Sequence, residues 1–243
     1  MGAEGGLTPP GLAAWPGLRI TARLGGGHRG AVWAATDGSR RLVVHRSGRT
    51  PAALDWELDL TGELRAHGFR VPEVVPTGDG RRRCGADVVR TWLDGDPPGP
   101  GDEATVAAEL HRLHALTSGR GQRPGFVGTI ELLAGAVRGG DVDLTAMPSD
   151  VVAECRAAWA VLDGPVAVVH GDPGPGNIRV LDGRPGLLDW DECRVDRTAL
   201  DLDGGPGAAR EVRRAVDAWE VAACWTVEPG YARERLAALR AAP

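Results

Sequence analysis

The segment Asp94-Gly-Asp-Pro-Pro-Gly-Pro-Gly101 constrains the fold more than any other stretch, because its prolines, glycines and acids interrupt every apolar period and leave nothing to bury. Before it the chain reads mainly as strands. Residues 18–24, 31–35 and 41–45 are short apolar runs, the first two separated by a glycine cluster and the last two by the tight-turn pair Asp37-Gly38. Residues 51–67 place Leu54, Leu58 and Leu64 at helical spacing and end at Gly68, and residues 71–75 and 86–93 read as further strands. After the break the period changes. Val106, Leu110, Leu113 and Leu116 mark a helix, residues 151–162 another, and residues 208–225 and 232–239 two more; in their midst two short strands, 166–169 and 178–181, lie about a Gly-Pro-rich loop, Asp182-Gly183 turns the chain into Leu187-Leu188, and a small hairpin is expected there. The expectation is an α+β protein in two lobes: a flexible N-terminal tail at 1–17, an N-lobe at 18–93, a linker at 94–101 and a mainly helical C-lobe at 102–243.

Charge and composition remove several classes of function. The 243 residues carry 28 basic and 33 acidic side chains, well mixed, with a formal charge of -5, so no clustered basic face for nucleic acid is expected. No run approaches the ~18 apolar residues of a membrane helix, and the first residues lack the basic and apolar regions of a signal peptide, which predicts a soluble cytoplasmic protein without membrane contact. Cys84, Cys155, Cys193 and Cys224 form no CxxC pair and read as isolated thiols. All the basic residues are arginine and there is one asparagine, Asn177. A lysine Schiff base and a Walker-type phosphate loop are therefore excluded.

The residues able to carry chemistry concentrate in His170-Gly-Asp-Pro-Gly-Pro-Gly-Asn177, followed by Asp189-Trp-Asp191. Phosphoryl transfer needs one carboxylate beside the attacking hydroxyl and oxygen ligands for a divalent ion, and Asp172 with Asn177 and Asp189 supplies that set. Asp and Asn also shape turns, and a metal-dependent hydrolase using His170, Asp172, Asp189 and Asp191 is a competing reading. In the first part of the chain, Gly25, Gly27 and Gly30 fit G-x-G-x-x-G-x-V between two strands, a flap over phosphates or a plain turn.

Together these motifs resemble the aminoglycoside phosphotransferase and choline kinase-like family of small-molecule kinases, over roughly residues 18–202. The resemblance rests on the glycine-rich hairpin, Glu57 on a helix ahead of Arg70-Val71-Pro72, the connector Val89-Arg-Thr-Trp-Leu-Asp-Gly95, and Leu110-His-Arg-Leu-His114. It rests most of all on the run from His170 through Asp172, Asn177 and Asp189-Trp-Asp191 to Asp201-Leu202. It implies a two-lobed protein-kinase-like fold and ATP- and Mg²⁺-dependent phosphorylation of a hydroxyl on a small molecule, of the antibiotic or related-metabolite class. It also implies Asp172 as the catalytic carboxylate, Asn177 and Asp189 as metal ligands, and Asp201 as support for the catalytic loop. Gly25, Gly27, Gly30, Glu57 and Trp92 then belong to the nucleotide site. The family's cation on the third strand, normally lysine, is missing; His45 stands in its place by strand register, and a bulge would bring Arg46 there instead. That gap motivates the alternative of a catalytically impaired kinase-like binding or regulatory module. Asp191, Glu192 and Asp196 near the loop are candidates to attract a cationic acceptor. Oligomeric state is left open.

Overall fold

The computed structural model describes residues 11–24, 30–202 and 209–241. Two compact units divide the chain, residues Met1–Leu93 and Asp94–Pro243.

The first unit is an antiparallel four-stranded meander in the order β1 (Arg19–Leu24), β2 (Gly30–Thr36), β3 (Arg41–Ser47) and β4 (Asp87–Thr91), with the helix α1 (Pro51–Ala66) inserted between the last two strands. Alternation assigns the faces. Ala31, Trp33 and Ala35 on β2, Leu42 and Val44 on β3 and Val89 on β4 bury one side of the sheet in a single cluster. Val88, pointing the other way, packs under Leu54 and Leu58 of α1. Thr50 starts that helix by accepting a hydrogen bond from the Ala53 amide at 3.3 Å, Pro51 suits its first turn, and Gly68 ends it at a φ of 80°.

Two expectations are corrected in this unit. Residues 11–17 do not behave as a tail: Trp15 is 3% exposed in the sheet's core cluster, and its indole N–H donates to the Val75 carbonyl at 2.9 Å. Burial of a large aromatic outweighs the local lack of pattern among prolines and glycines. Residues 71–75 do not form a strand of the sheet; they run beside β4 with a single bridge, Val74 to Arg90, because Pro72 and Pro76 interrupt the donor ladder.

The second unit comprises α2 (Glu103–Leu116), α3 (Thr129–Leu133), α4 (Ser149–Ala160), α5 (Arg210–Cys224) and α6 (Pro229–Ala241). Its short strands are β5 (Arg138–Gly139), β6 (Val142–Asp143), β7 (Val166–Val169), β8 (Ile178–Leu181), β9 (Arg184–Leu187) and β10 (Arg194–Arg197). Ala215, Ala218 and Ala222 on α5 present a small-residue face to a core that includes Val151, Cys155 and Trp159 of α4 and Leu236 and Leu239 of α6. Residues 166–169 and 178–181 form strands on either side of the loop but do not pair with each other. β7 pairs instead with β10, and β8 with β9. Asp182 and Gly183 explain the second pairing: both sit at positive φ, 51° and 70°, as a two-residue hairpin turn with the right twist requires. The linker is also more ordered than its composition predicts. Asp96 exchanges both backbone hydrogen bonds with Val180, and Gly95, at a φ of 127°, lies so close that a β-carbon there would come within 2.6 Å of the Val180 carbonyl oxygen.

Candidate active site

The loop carrying Asp172 leaves the end of β7 and is held from beneath by one buried carboxylate. Asp201 accepts the His170 amide at 2.7 Å and the His114 Nε2–H at 2.9 Å on one oxygen, and the Gly171 amide at 2.9 Å on the other. Burial pushes the Asp201 carboxyl up, but the hydrogen bond from His114, the charge interaction with the His114 and His170 rings and the Gly171 amide outweigh this and hold it below the usual carboxylate range. Gly171 is required here: at a φ of 93°, a β-carbon would meet the Glu192 carbonyl oxygen at 2.7 Å. The His170 ring is fully buried, donates Nε2–H to the Leu188 carbonyl at 2.7 Å, accepts the Asp172 amide on Nδ1 at 3.4 Å, and lies 4.7 Å from the Trp190 ring. With both ring nitrogens committed to backbone, His170 ties the Asp172 loop to the strand end that carries Asp189, and the hydrolase assignment loses its imidazole ligand.

Asn177 and Asp189 are brought together by the β8–β9 hairpin. Ile178 pairs with Leu187, and the next rung is the Leu188 amide donating to the Asn177 carbonyl at 2.8 Å, so Asp189 follows one residue beyond Asn177. Asn177 Nδ2 donates to Asp172 Oδ2 at 2.7 Å and to the Asp172 carbonyl at 3.1 Å, which leaves its Oδ1, the atom a cation needs, without a protein partner among the described residues. Asp172 and Asp189 are exposed, and Asp189, two residues past the end of β9, sits at a φ of 53°, a strained setting for a non-glycine residue. Its only recorded partner among the described residues is the Asp191 amide at 3.4 Å.

Arg123, 1% exposed, fixes the segment after Asp189 and was not signalled by any motif. Its Nη1 donates to the carbonyls of Trp190, Asp191 and Cys193 at 3.1, 2.9 and 3.2 Å. The acidic residues proposed to attract a cation are partly spent inside. Asp191 is buried, and Asp196, fully buried, accepts from Thr129 and from Arg194 Nε at 3.0 Å. A cavity of about 640 Å³ opens within this unit beside Asp172, walled by Leu110, Val216, Glu103, Glu220 and Tyr231. Burial pushes the Tyr231 phenol up to about 12.

In the first unit Glu57 is 2% exposed and ion-pairs with Arg90 of β4, Nη2 to Oε1 at 2.6 Å. Of the two third-strand candidates, Arg46 does not occupy that place. Arg46 faces away and grips Asp87 with Nε and Nη2 at 2.8 and 3.0 Å, because the regular ladder sets Arg46 opposite Asp87 and no bulge turns it inward. His45 stands opposite Val88, on the same sheet face as Arg90, which is paired with Val43. Trp92 is half-buried, with the Arg41 guanidinium 4.0 Å above its ring. Gly25 and Gly27 lie outside the described residues, and Gly30 opens β2.

Mg²⁺ fits the donor chemistry at Asn177 and Asp189. Among the described residues no three His, Cys, Asp or Glu side chains are grouped to hold a metal by themselves. Two hard oxygen donors are the protein's usual share for an ion that completes its shell with phosphate and water.

A four-stranded antiparallel sheet with one inserted helix, followed by a helical unit bearing the Asp172 loop, is a protein-kinase-like fold of the small-molecule phosphotransferase type. The chain belongs to the phosphotransferase enzyme family, whose model matches residues 21–240. Solved structures carry the same fold at low identity. Aminoglycoside phosphotransferase APH(4)-Ia aligns at 14% identity and a TM-score of 0.64, over 94% of this chain and 96% of that one. Choline kinase LicA from Streptococcus pneumoniae aligns at 13% and 0.63, over 95% of each chain. Amicoumacin kinase hAmiN, solved with AMP-PNP and Ca²⁺, aligns at 17% and 0.58, over 92% of this chain and 71% of that one. No curated protein matches the sequence. Among the described residues no helix is long and apolar enough to cross a membrane.

Proposed function

We propose that this phosphotransferase moves the terminal phosphoryl group of ATP to a hydroxyl of a small molecule, with Asp172 as the catalytic carboxylate. The observation that carries the reading is the pairing of Asp172 with Asn177. One carboxylate oxygen is fixed by the Asn177 amide, while the other has no protein partner among the described residues and borders the cavity. That open oxygen accepts the hydrogen bond of an incoming hydroxyl, orients it and takes its proton as the new P–O bond forms and the bond from the γ-phosphorus to the bridging oxygen breaks, releasing ADP. Asn177 and Asp189 would hold Mg²⁺, which when bound neutralises charge on the transferring phosphates. Asp201 keeps the Asp172 loop in place through the His170 and Gly171 amides. The cavity's mix of apolar wall and the carboxylates of Glu103 and Glu220 supports a hydroxylated acceptor of antibiotic or related-metabolite size.

The test is transfer of labelled γ-phosphate from ATP to a panel of hydroxylated small molecules. Wild-type protein is expected to label at least one in a Mg²⁺-dependent manner, and Asp172→Asn to reduce kcat by about 10²- to 10⁴-fold with an unchanged urea midpoint. Equal turnover by the variant would overturn the role of Asp172.

A further inference from the structure

We infer that Arg90 is a residue of the first unit that binds the nucleotide's phosphates, a role that the absence of lysine leaves open and that Arg46, spent on Asp87, does not fill; this rests on the phosphotransferase reading above. The chain's arginines use their forks in recognisable ways. Arg46 spends Nε and Nη2 on both oxygens of Asp87, Arg83 does the same with Asp55, and Arg240 with Glu154. Arg90 differs. It meets Glu57 through Nη2 alone, and among the described residues its Nε and Nη1 have no protein partner.

Burial sharpens the contrast. The Arg90 side chain is 13% exposed and that of Glu57 3%, so the pair is mostly out of water while the guanidinium still reaches it. A cation held at one corner by a buried carboxylate is pre-aimed, and its remaining N–H groups form the planar fork that suits two oxygens of a phosphate. The position follows from the sheet: Val88 and Arg90 project from the face on which α1 lies, so a strand-borne guanidinium meets a helix-borne carboxylate without any bulge. Glu57 is then a positioning residue, and the ligand class is a di- or triphosphate.

Calorimetric titration of the whole chain with ADP and with adenosine separates this role from plain neutralisation of Glu57. Arg90→Met alone leaves a buried carboxylate unpaired and is at risk of misfolding, so the informative protein is the double variant Glu57→Gln/Arg90→Met, in which neither charge is stranded. Its ADP affinity is expected to fall by about 10- to 100-fold, the worth of charge-assisted hydrogen bonds, with adenosine binding unchanged. ADP binding equal to that of the wild type would assign Arg90 to neutralisation only. A parallel loss of ADP and adenosine would equally overturn a phosphate contact. A wild-type chain that binds neither would sink the phosphotransferase reading first, and the Arg90 site with it.

Discussion

The two units hold their functional charges by different means. In the second, polar side chains are fixed by the backbone: Asp201 by two loop amides, His170 by the Leu188 carbonyl and the Asp172 amide, Arg123 by three carbonyls. In the first, the central carboxylate Glu57 is held against an arginine 33 residues away on another element. Backbone anchoring can reach as far along the chain as Arg123 does, but losing the side chain strands only neutral backbone groups. An inter-element ion pair depends on the packing of helix on sheet, and losing one partner strands a charge.

That contrast can be broken by measurement. Glu57→Ala is expected to cost about 3–5 kcal/mol in chemical denaturation, since it leaves the largely buried Arg90 guanidinium unpaired. Asp201→Asn is expected to cost less, about 1–3 kcal/mol at neutral pH, because an amide oxygen still accepts some of the loop's N–H groups. Equal losses would erase the distinction between the units.

The pH dependence sharpens it. The Asp201 carboxyl lies below its ordinary value in the folded protein, so its charge stabilises the fold above ~4 and that contribution fades as pH falls through this value toward the lowered one. The gap between wild type and Asp201→Asn should therefore be widest near neutrality and narrow in acid; a gap that grows in acid would refute the assignment. The smallest effect concerns thiols. Cys84, half-buried in the first unit, should react first with a thiol reagent in native protein, while Cys155, buried and pushed up to about 12, should react only on unfolding. Early labelling of Cys155 would mean that the α4–α5 core opens readily.

The same contrast explains what could be read from the chain. Asp172, Asn177 and Asp189 are separated by short turns and one hairpin, so spacing alone carries their relation, and the two-lobed α+β organisation follows from where strands give way to helices, its kinase-like type coming from the family resemblance. The Asp182-Gly183 turn that closes β8 on β9 is legible too, whereas the pairing of β7 with β10 is not, because residues 194–197 carry mainly charged side chains and no local signal ties them to 166–169. Arg90 was not legible. Nothing local distinguishes it from the other arginines; its meaning comes from strand register and from the helix above, both tertiary facts. Trp15 was missed for a related reason, since its docking site is made by β2, β3 and β4 rather than by its neighbours.

Asp201 has a consequence for how the molecule breathes. Because one carboxylate fastens α2 through His114 and the loop through His170 and Gly171, the two segments share a single latch. Solvent exchange at those two amide protons should be governed by one cooperative opening rather than by independent fraying, so the catalytic turn loosens only when the helix behind it is released as well.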